Sequence, residues 1–217
     1  MGKLISEERQ VAGFDRVSLE GSGDILLEQG PVEALVLEGD EEVLERIKTE
    51  VSEGKLVIKY KSWFDLVWHR QRIKAHLTMK ELHEINISGS GSLRAGSLKS
   101  DSLKLSVSGM ADMDLEGLEV ETLEVHISGS GEFELRGRAT HQDLHISGSG
   151  RIDAWGLEGQ DAEVHVSGSG RVTLKVQDSL DVRVSGSADV RYLGEPKISQ
   201  RISGSASVRR MDSPKGG

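Results

Sequence analysis

The chain of 217 residues has no cysteine, three prolines and only eight aromatic residues. Without cysteine there can be no disulfide, no thiolate nucleophile, no Cys-ligated zinc and no lipid-bearing cysteine, and either redox compartment is acceptable. Proline is confined to positions 31, 196 and 214. No apolar run reaches the roughly 18 residues of a transmembrane helix. Positive charge is in deficit: the net charge is −9 and the pI about 5.3, which argues against a nucleic-acid surface, since that needs a basic stripe. Met1-Gly2-Lys3-Leu4-Ile5 turns polar too soon for a signal peptide, so the expectation is a cytoplasmic chain or one whose leader has been removed.

What the sequence has in excess is Ser-Gly-Ser-Gly. The tetrapeptide or a near copy begins at Ser88, Ser108, Ser128, Ser147, Ser167, Ser185 and Ser203, at intervals of 20, 20, 19, 20, 18 and 18 residues. A fixed period of this length is the mark of a repeat architecture. The residue before each first Ser is β-branched: Ile87, Val107, Ile127, Ile146, Val166, Val184 and Ile202. Three residues before it stand Ile85, Leu105, Val125, Leu144, Val164, Val182 and then Gln200. Five after it stand Leu93, Met113, Phe133, Ile152, Val172, Val190 and Val208; seven after it, Ala95, Leu115, Leu135, Ala154, Leu174, Tyr192 and then Arg210.

The step of two on both sides of the turn is the period of strands with one buried face. The turn glycines are expected to supply positive φ, and the alanines at 111, 188 and 206 a different backbone conformation. A less regular return, with Gly96, Gly117, Gly137 and Gly156, completes each unit. A hairpin array does not require one residue type to recur at one position, whereas a coil does, because coils stack like residues about 4.8 Å apart. The expected fold is therefore all-β: a single-stranded parallel β-helix of 18–20-residue coils, right-handed by the rule for parallel crossovers. At about 3.3 Å per residue the perimeter is roughly 60 Å or less, narrow enough for a solid apolar filling.

The remaining segments divide as follows. Residues 1–10 are expected to be disordered or a leader remnant. Residues 11–87 form an N-terminal β-helix module, in which Val17, Leu19, Gly21-Ser22-Gly23, Ile25 and Leu27 make an earlier copy of the unit. Residues 40–50 read as a short helix, with Asp40 as N-cap and Glu41 and Glu42 in the first turn, covering one end of the coil. Residues 60–72 form an aromatic loop. Residues 88–211 are the regular repeats and 212–217 a tail.

Chemistry is sparse. Two residues before the turn Ser come His126, His145 and His165, and two further back Glu124, Asp143 and Glu163. Stacked acid–His pairs are candidates for a divalent metal; the plainer reading is a solvated ladder in which the acids neutralise the imidazoles. Four residues after the turn Ser, the column Ser92, Asp112, Glu132, Arg151, Arg171, Asp189 and Ser207 alternates in sign, which suits salt bridges between rungs and not a calcium ladder. The Gly-rich turns are followed by strands, so they are not phosphate loops or nucleophile elbows. Asp112, Asp114, Glu132, Glu134 and Asp153 make an acidic patch that reads as a solvated face, not as an acid–base pair. No catalytic or cofactor-binding residue is assigned. Trp63, Phe64 and Trp68 with Arg70 and Arg72 are the candidate contact patch for a glycan, a protein or a second subunit, or else a plug over the first coils.

Val11-Ala12-Gly13-Phe14-Asp15, the Gly-Ser-Gly turn, Gly54-Lys55-Leu56-Val57-Ile58 and the series of Ile-Ser-Gly-Ser-Gly units together resemble the bacterial auto-transporter adhesin head GIN domain family over about residues 11–210. The resemblance implies a β-helix, an exported or envelope-associated location, a role in adhesion, homo-oligomerisation and no established catalytic residue. The function expected is thus a non-enzymatic surface protein that presents a rigid face. The alternatives are a carbohydrate-active enzyme on the same scaffold and a structural spacer.

Overall fold

A computed structural model describes residues 3–62 and 72–211. Its strands are β1 (Leu4–Arg9), β2 (Arg16–Glu20), β3 (Ser22–Gln29), β4 (Ala34–Asp40), β5 (Ile47–Ser52), β6 (Lys55–Tyr60), β7 (Ile73–Met79) and β8 (Glu84–Ile87). The long strands β9 (Ser90–Val107), β10 (Met110–Ile127), β11 (Ser130–Ile146), β12 (Ser149–Val166) and β13 (Ser169–Val184) follow, then β14 (Ser187–Leu193), β15 (Lys197–Ile202) and β16 (Ser205–Arg210). One short helix, α1 (Glu41–Leu44), interrupts them.

Each long strand is one coil of a β-solenoid of about six turns. Successive coils pair in parallel, like position on like. Ile87, Val107, Ile127, Ile146, Val166, Val184 and Ile202 are consecutive partners, and so are Ile85, Leu105, Val125, Leu144, Val164 and Val182. The column five residues after the turn Ser is also in register, through Val190, and the column seven after it is in register through Tyr192 except between Leu135 and Ala154, where the ladder shifts. Except for Ile202, which is exposed on the last coil, these residues form one continuous buried core. Burying each Leu, Ile or Val contributes about 1.5–3 kcal/mol, so the columns are the main source of stability.

The turns obey the same stacking. The Ser130 amide donates to the Gly109 carbonyl at 2.9 Å, and the Ser149 amide to Gly129 at 2.9 Å. This explains the glycines differently from the expectation. Among the described residues positive φ occurs at Glu53 and at Gly13, Gly21, Gly54, Gly137 and Gly194, and not at the turn glycines of the regular repeats. The requirement is vertical clearance. A Cβ on Gly148 would lie 2.0 Å from the Gly129 oxygen, and one on Gly109 1.8 Å from the Gly89 oxygen. At the second glycine of the tetrapeptide the later coils are looser: a Cβ on Gly150 would meet nothing closer than Ile127 Cδ1 at 3.0 Å. The alanines at 111, 188 and 206 occupy this second position. They keep the same register, Ala111 over Gly91 and Ala188 between Gly170 and Ala206, so no different turn is needed.

Register shifts fall in the return, between Leu115 and Leu118, Glu134 and Arg136, and Ala154 and Asp161. That segment absorbs the variation from 18 to 20 residues while turn and flanking walls stay aligned.

The N-terminal module departs from the expectation in three ways. Residues 4–9 are ordered strand, β1, paired antiparallel with β4. The helix spans only Glu41–Leu44, not 40–50. Asp40 does cap it, accepting from the Glu42 amide, but Ile47–Ser52 is strand β5, antiparallel to β6. Val51 alternates with Thr49 and Ile47 at strand spacing, and this period prevails over the single helical turn. Third, β4 runs antiparallel to β7, so strands on both walls reverse direction at this end.

Candidate functional site

The wall before the turn carries alternate side chains outward. The strand period therefore lines up His126, His145 and His165 on consecutive coils, with Ser106 below and Arg183 and Arg201 above. The rings of His126 and His145 stack with centroids 4.6 Å apart and planes 4° from parallel; those of His145 and His165 are also 4.6 Å apart, at 15°. The neighbouring column holds Glu124, Asp143, Glu163 and Asp181 in register. Within each coil the acid meets the ring. Nε2 of His126 contacts Glu124, Nε2 of His145 is 2.8 Å from Asp143, and Nε2 of His165 is 3.3 Å from Glu163.

Arg183 changes the chemistry of the last rung. Its guanidinium lies 2.7 Å from Asp181 and 3.1 Å from Nε2 of His165. A guanidinium has no acceptor, so this Nε2 accepts and the ring proton sits on Nδ1. Glu163 cannot then share a hydrogen bond with the same nitrogen. Below, Lys104 donates to Glu124 at 2.8 Å, and that bond, with the contact to His126, holds the Glu124 carboxyl below its ordinary pKa despite partial burial.

Asp143, His145 and His165 bring three donor atoms within 4.8 Å of one another. Zinc would need ring nitrogens about 2.0–2.1 Å from the ion, hence no more than about 4.2 Å apart and converging. Nearly parallel rings at 4.6 Å do not converge, and Arg183 occupies the approach to His165. A cation would require the rings to leave the stack.

The other expected clusters are partnered. In the alternating column, Arg151 bonds Glu132 at 2.8 Å, and Asp189 faces Arg191 at 2.7 Å, Arg209 at 3.4 Å and Arg171 at 3.8 Å. In the acidic patch, Arg136 lies between Glu134 (2.9 Å) and Asp114 (3.6 Å), and Asp153 accepts from the Trp155 amide. Of the aromatic patch, Trp63, Phe64, Trp68 and Arg70 lie outside the described residues. Arg72 is described, 3.5 Å from Asp24 on β3.

Three features escaped sequence reasoning. A groove of about 1280 Å³ runs along the return, lined by Gln29, His83, Leu98, Lys99, Glu119 and Arg138 among others. Its irregular spacing left no columnar signal. A fifth buried column, Leu103, Leu123, Gln142, Ala162 and Leu180, stands five residues before the turn Ser. In it Gln142 is 2% exposed, and neither amide atom has a hydrogen-bond partner. The third is a smaller groove of about 400 Å³ between the histidine stripe and the turn serines.

No curated protein matches the chain. Among solved structures it is similar to a "putative adhesin" from Bacteroides fragilis, with 25% identity, a TM-score of 0.90, and 96% of this chain and 97% of that one covered. A "putative lipid binding protein" from Parabacteroides distasonis (24% identity, TM-score 0.77, 97% and 98% covered) and a "putative adhesin" from Parabacteroides merdae (21%, 0.73, 97% and 97%) share the fold. The family described as "Putative auto-transporter adhesin, head GIN domain" matches residues 13–196. The chain belongs to that family.

Proposed function

We propose that the protein is a non-enzymatic adhesin or binding scaffold of the cell envelope or cell surface. The observation that carries this reading is the register of the walls that flank the turns, kept from coil to coil between Ser90 and Arg210 while the shifts are confined to the return, which offers side walls with one rung per coil. Such a wall suits contact with an extended partner, and family membership points the same way. Among the described residues no helix is long and apolar enough to cross a membrane.

The finer reading has four parts. The coil is right-handed. Helix α1 and the antiparallel strands β1 and β5 cover its N-terminal end. The 60–72 segment, with Trp63, Phe64, Trp68, Arg70 and Arg72, contributes a contact for a partner or a second copy. The acid–His ladder of Glu124, Asp143, Glu163, His126, His145 and His165 serves as a polar rail, its first two rungs joined acid to ring and its third tied through Arg183, and metal capture there is weak at most. A glycan array followed by a reducing-sugar assay on the hits tests the main reading. Retention without sugar release supports a scaffold; release of reducing ends assigns an enzyme, and retention of nothing favours a spacer.

A further inference from the structure

The groove between the histidine stripe and the turns has an unusual lining for an acidic protein. Its rungs are His126, His145, His165, Arg183 and Arg201; its floor is turn backbone and the serines from Ser147 to Ser203. No carboxylate lines it, although the net charge of the chain is −9. The acids of the neighbouring column open instead onto a separate groove, with Asp143, Asp161, Glu163 and Asp181. The cationic lining is not an isolated accident. From Arg183 to Met211 the chain holds six Arg and Lys against two Asp and Glu, so positive charge is gathered in the coils where the groove ends.

We propose that this groove binds a linear anionic glycan, laid along the solenoid axis with about one sugar per coil. The proposal deepens the binding-scaffold reading above and rests on it. Hydroxyl donors recur on successive coils at Ser147, Ser167, Ser185 and Ser203, with the guanidinium groups of Arg183 and Arg201 beside them, and the stacked rings set the coil spacing at 4.6 Å, comparable to one sugar residue of an extended chain. A repeating row of polar groups suits a repeating ligand; a lone small anion would use one rung. Arg183 shares its charge with Asp181 at 2.7 Å and Glu163 at 3.4 Å. Arg201 is exposed, and no carboxylate of the described residues lies within ion-pair distance of it, so it is the free cation of the row. Planar guanidinium bonds a carboxylate or sulfate through two N–H groups, and serine hydroxyls serve the ring hydroxyls beside it. No Phe, Tyr or Trp lines the groove, and its imidazoles stack face to face on one another between coils, which leaves less open ring surface than the stacking platforms of single-stranded nucleic-acid channels.

The test uses the full chain, with fluorescent hexagalacturonate and a sulfated dextran oligomer as anionic probes. The methyl ester of the hexamer is the uncharged control, and fluorescence anisotropy is the readout. The expected result is binding of an anionic probe that weakens with added salt, with the ester at least about tenfold weaker. Arg201→Gln should lower affinity about tenfold, the scale of one charged hydrogen bond. Lys74→Gln, on the distant strand β7, should leave it unchanged. Equal affinity for the ester, no retention of either anionic probe, or an Arg201→Gln variant as tight as Lys74→Gln overturns the proposal. So does Arg201-dependent capture by phosphatidylglycerol vesicles with no glycan bound. A neutral glycan held without turnover would sink the groove assignment and leave the scaffold reading standing.

Discussion

At the scale of single residues, the two glycines of the turn at Ser147 are chemically identical and physically different. A methyl group on Gly148 would sit 2.0 Å from a backbone oxygen that cannot retreat without unstacking the turn. One on Gly150 would press at 3.0 Å on the end of an isoleucine side chain. Gly148→Ala is therefore expected to destabilise by about 3 kcal/mol, and Gly150→Ala by less than about 1 kcal/mol. Urea unfolding of the two variants side by side checks the contrast, and equal losses would contradict vertical stacking of the turns. Gln142 is the converse case. Its amide is buried between the coils of Leu123 and Ala162 with both polar atoms unsatisfied. Gln142→Leu is expected to stabilise by about 1–3 kcal/mol, read as a shift of the urea midpoint. A loss instead would mean that the amide has a partner in solution.

At the scale of elements, stability should be graded along the axis. The coils β10 to β12 have a coil on each side and fully buried columns, whereas all six residues of β15 are exposed and β16 is covered on one edge only. Amide hydrogen exchange should therefore open β15 and β16 first and β10–β12 last, because each coil draws stability from its neighbours. Uniform protection along the chain would refute the grading.

The same contrast sets what the sequence made legible. The columns headed by Ile87 and Leu93 can be read directly because each coil repeats a large apolar residue, β-branched throughout the first column, at the same offset. The column of Leu103 and Leu123 is hidden in the sequence because Gln142 interrupts its apolar character. The helix at 40–50 was overread because Val43, Leu44 and Ile47 satisfy helical spacing over one turn, while the β5–β6 pairing that claims Ile47 is a tertiary contact. The histidine stripe was visible as spacing. The groove beside it was not, since it depends on which way the neighbouring acids open.

At the scale of the whole molecule, ion pairs tie coil to coil in a protein whose core columns already do so, and their contribution can be separated by pH. Asp189 bridges three coils through Arg171, Arg191 and Arg209. Burial works to raise its pKa, but the hydrogen bond from Arg191 and the charges of Arg191, Arg209 and Arg171 together outweigh it and hold it below the ordinary value of 3.8. Glu124, bonded by Lys104 of the coil below, is likewise held below 4.5. A carboxyl whose folded pKa is depressed contributes stability above its unfolded pKa and loses it as pH falls through the folded one. Thermal stability should thus be flat from neutral pH down to about pH 5 as far as these two groups are concerned, and decline below about 4.5, first through Glu124 and then through Asp189. Lys104→Met should soften the upper part of that decline. Arg191→Met should soften the lower part, where the last coils come apart. Melting curves between pH 7 and pH 3 measure this, and a decline unaltered in both variants would mean that the inter-coil pairs are spectators on a solenoid held by its aliphatic columns alone.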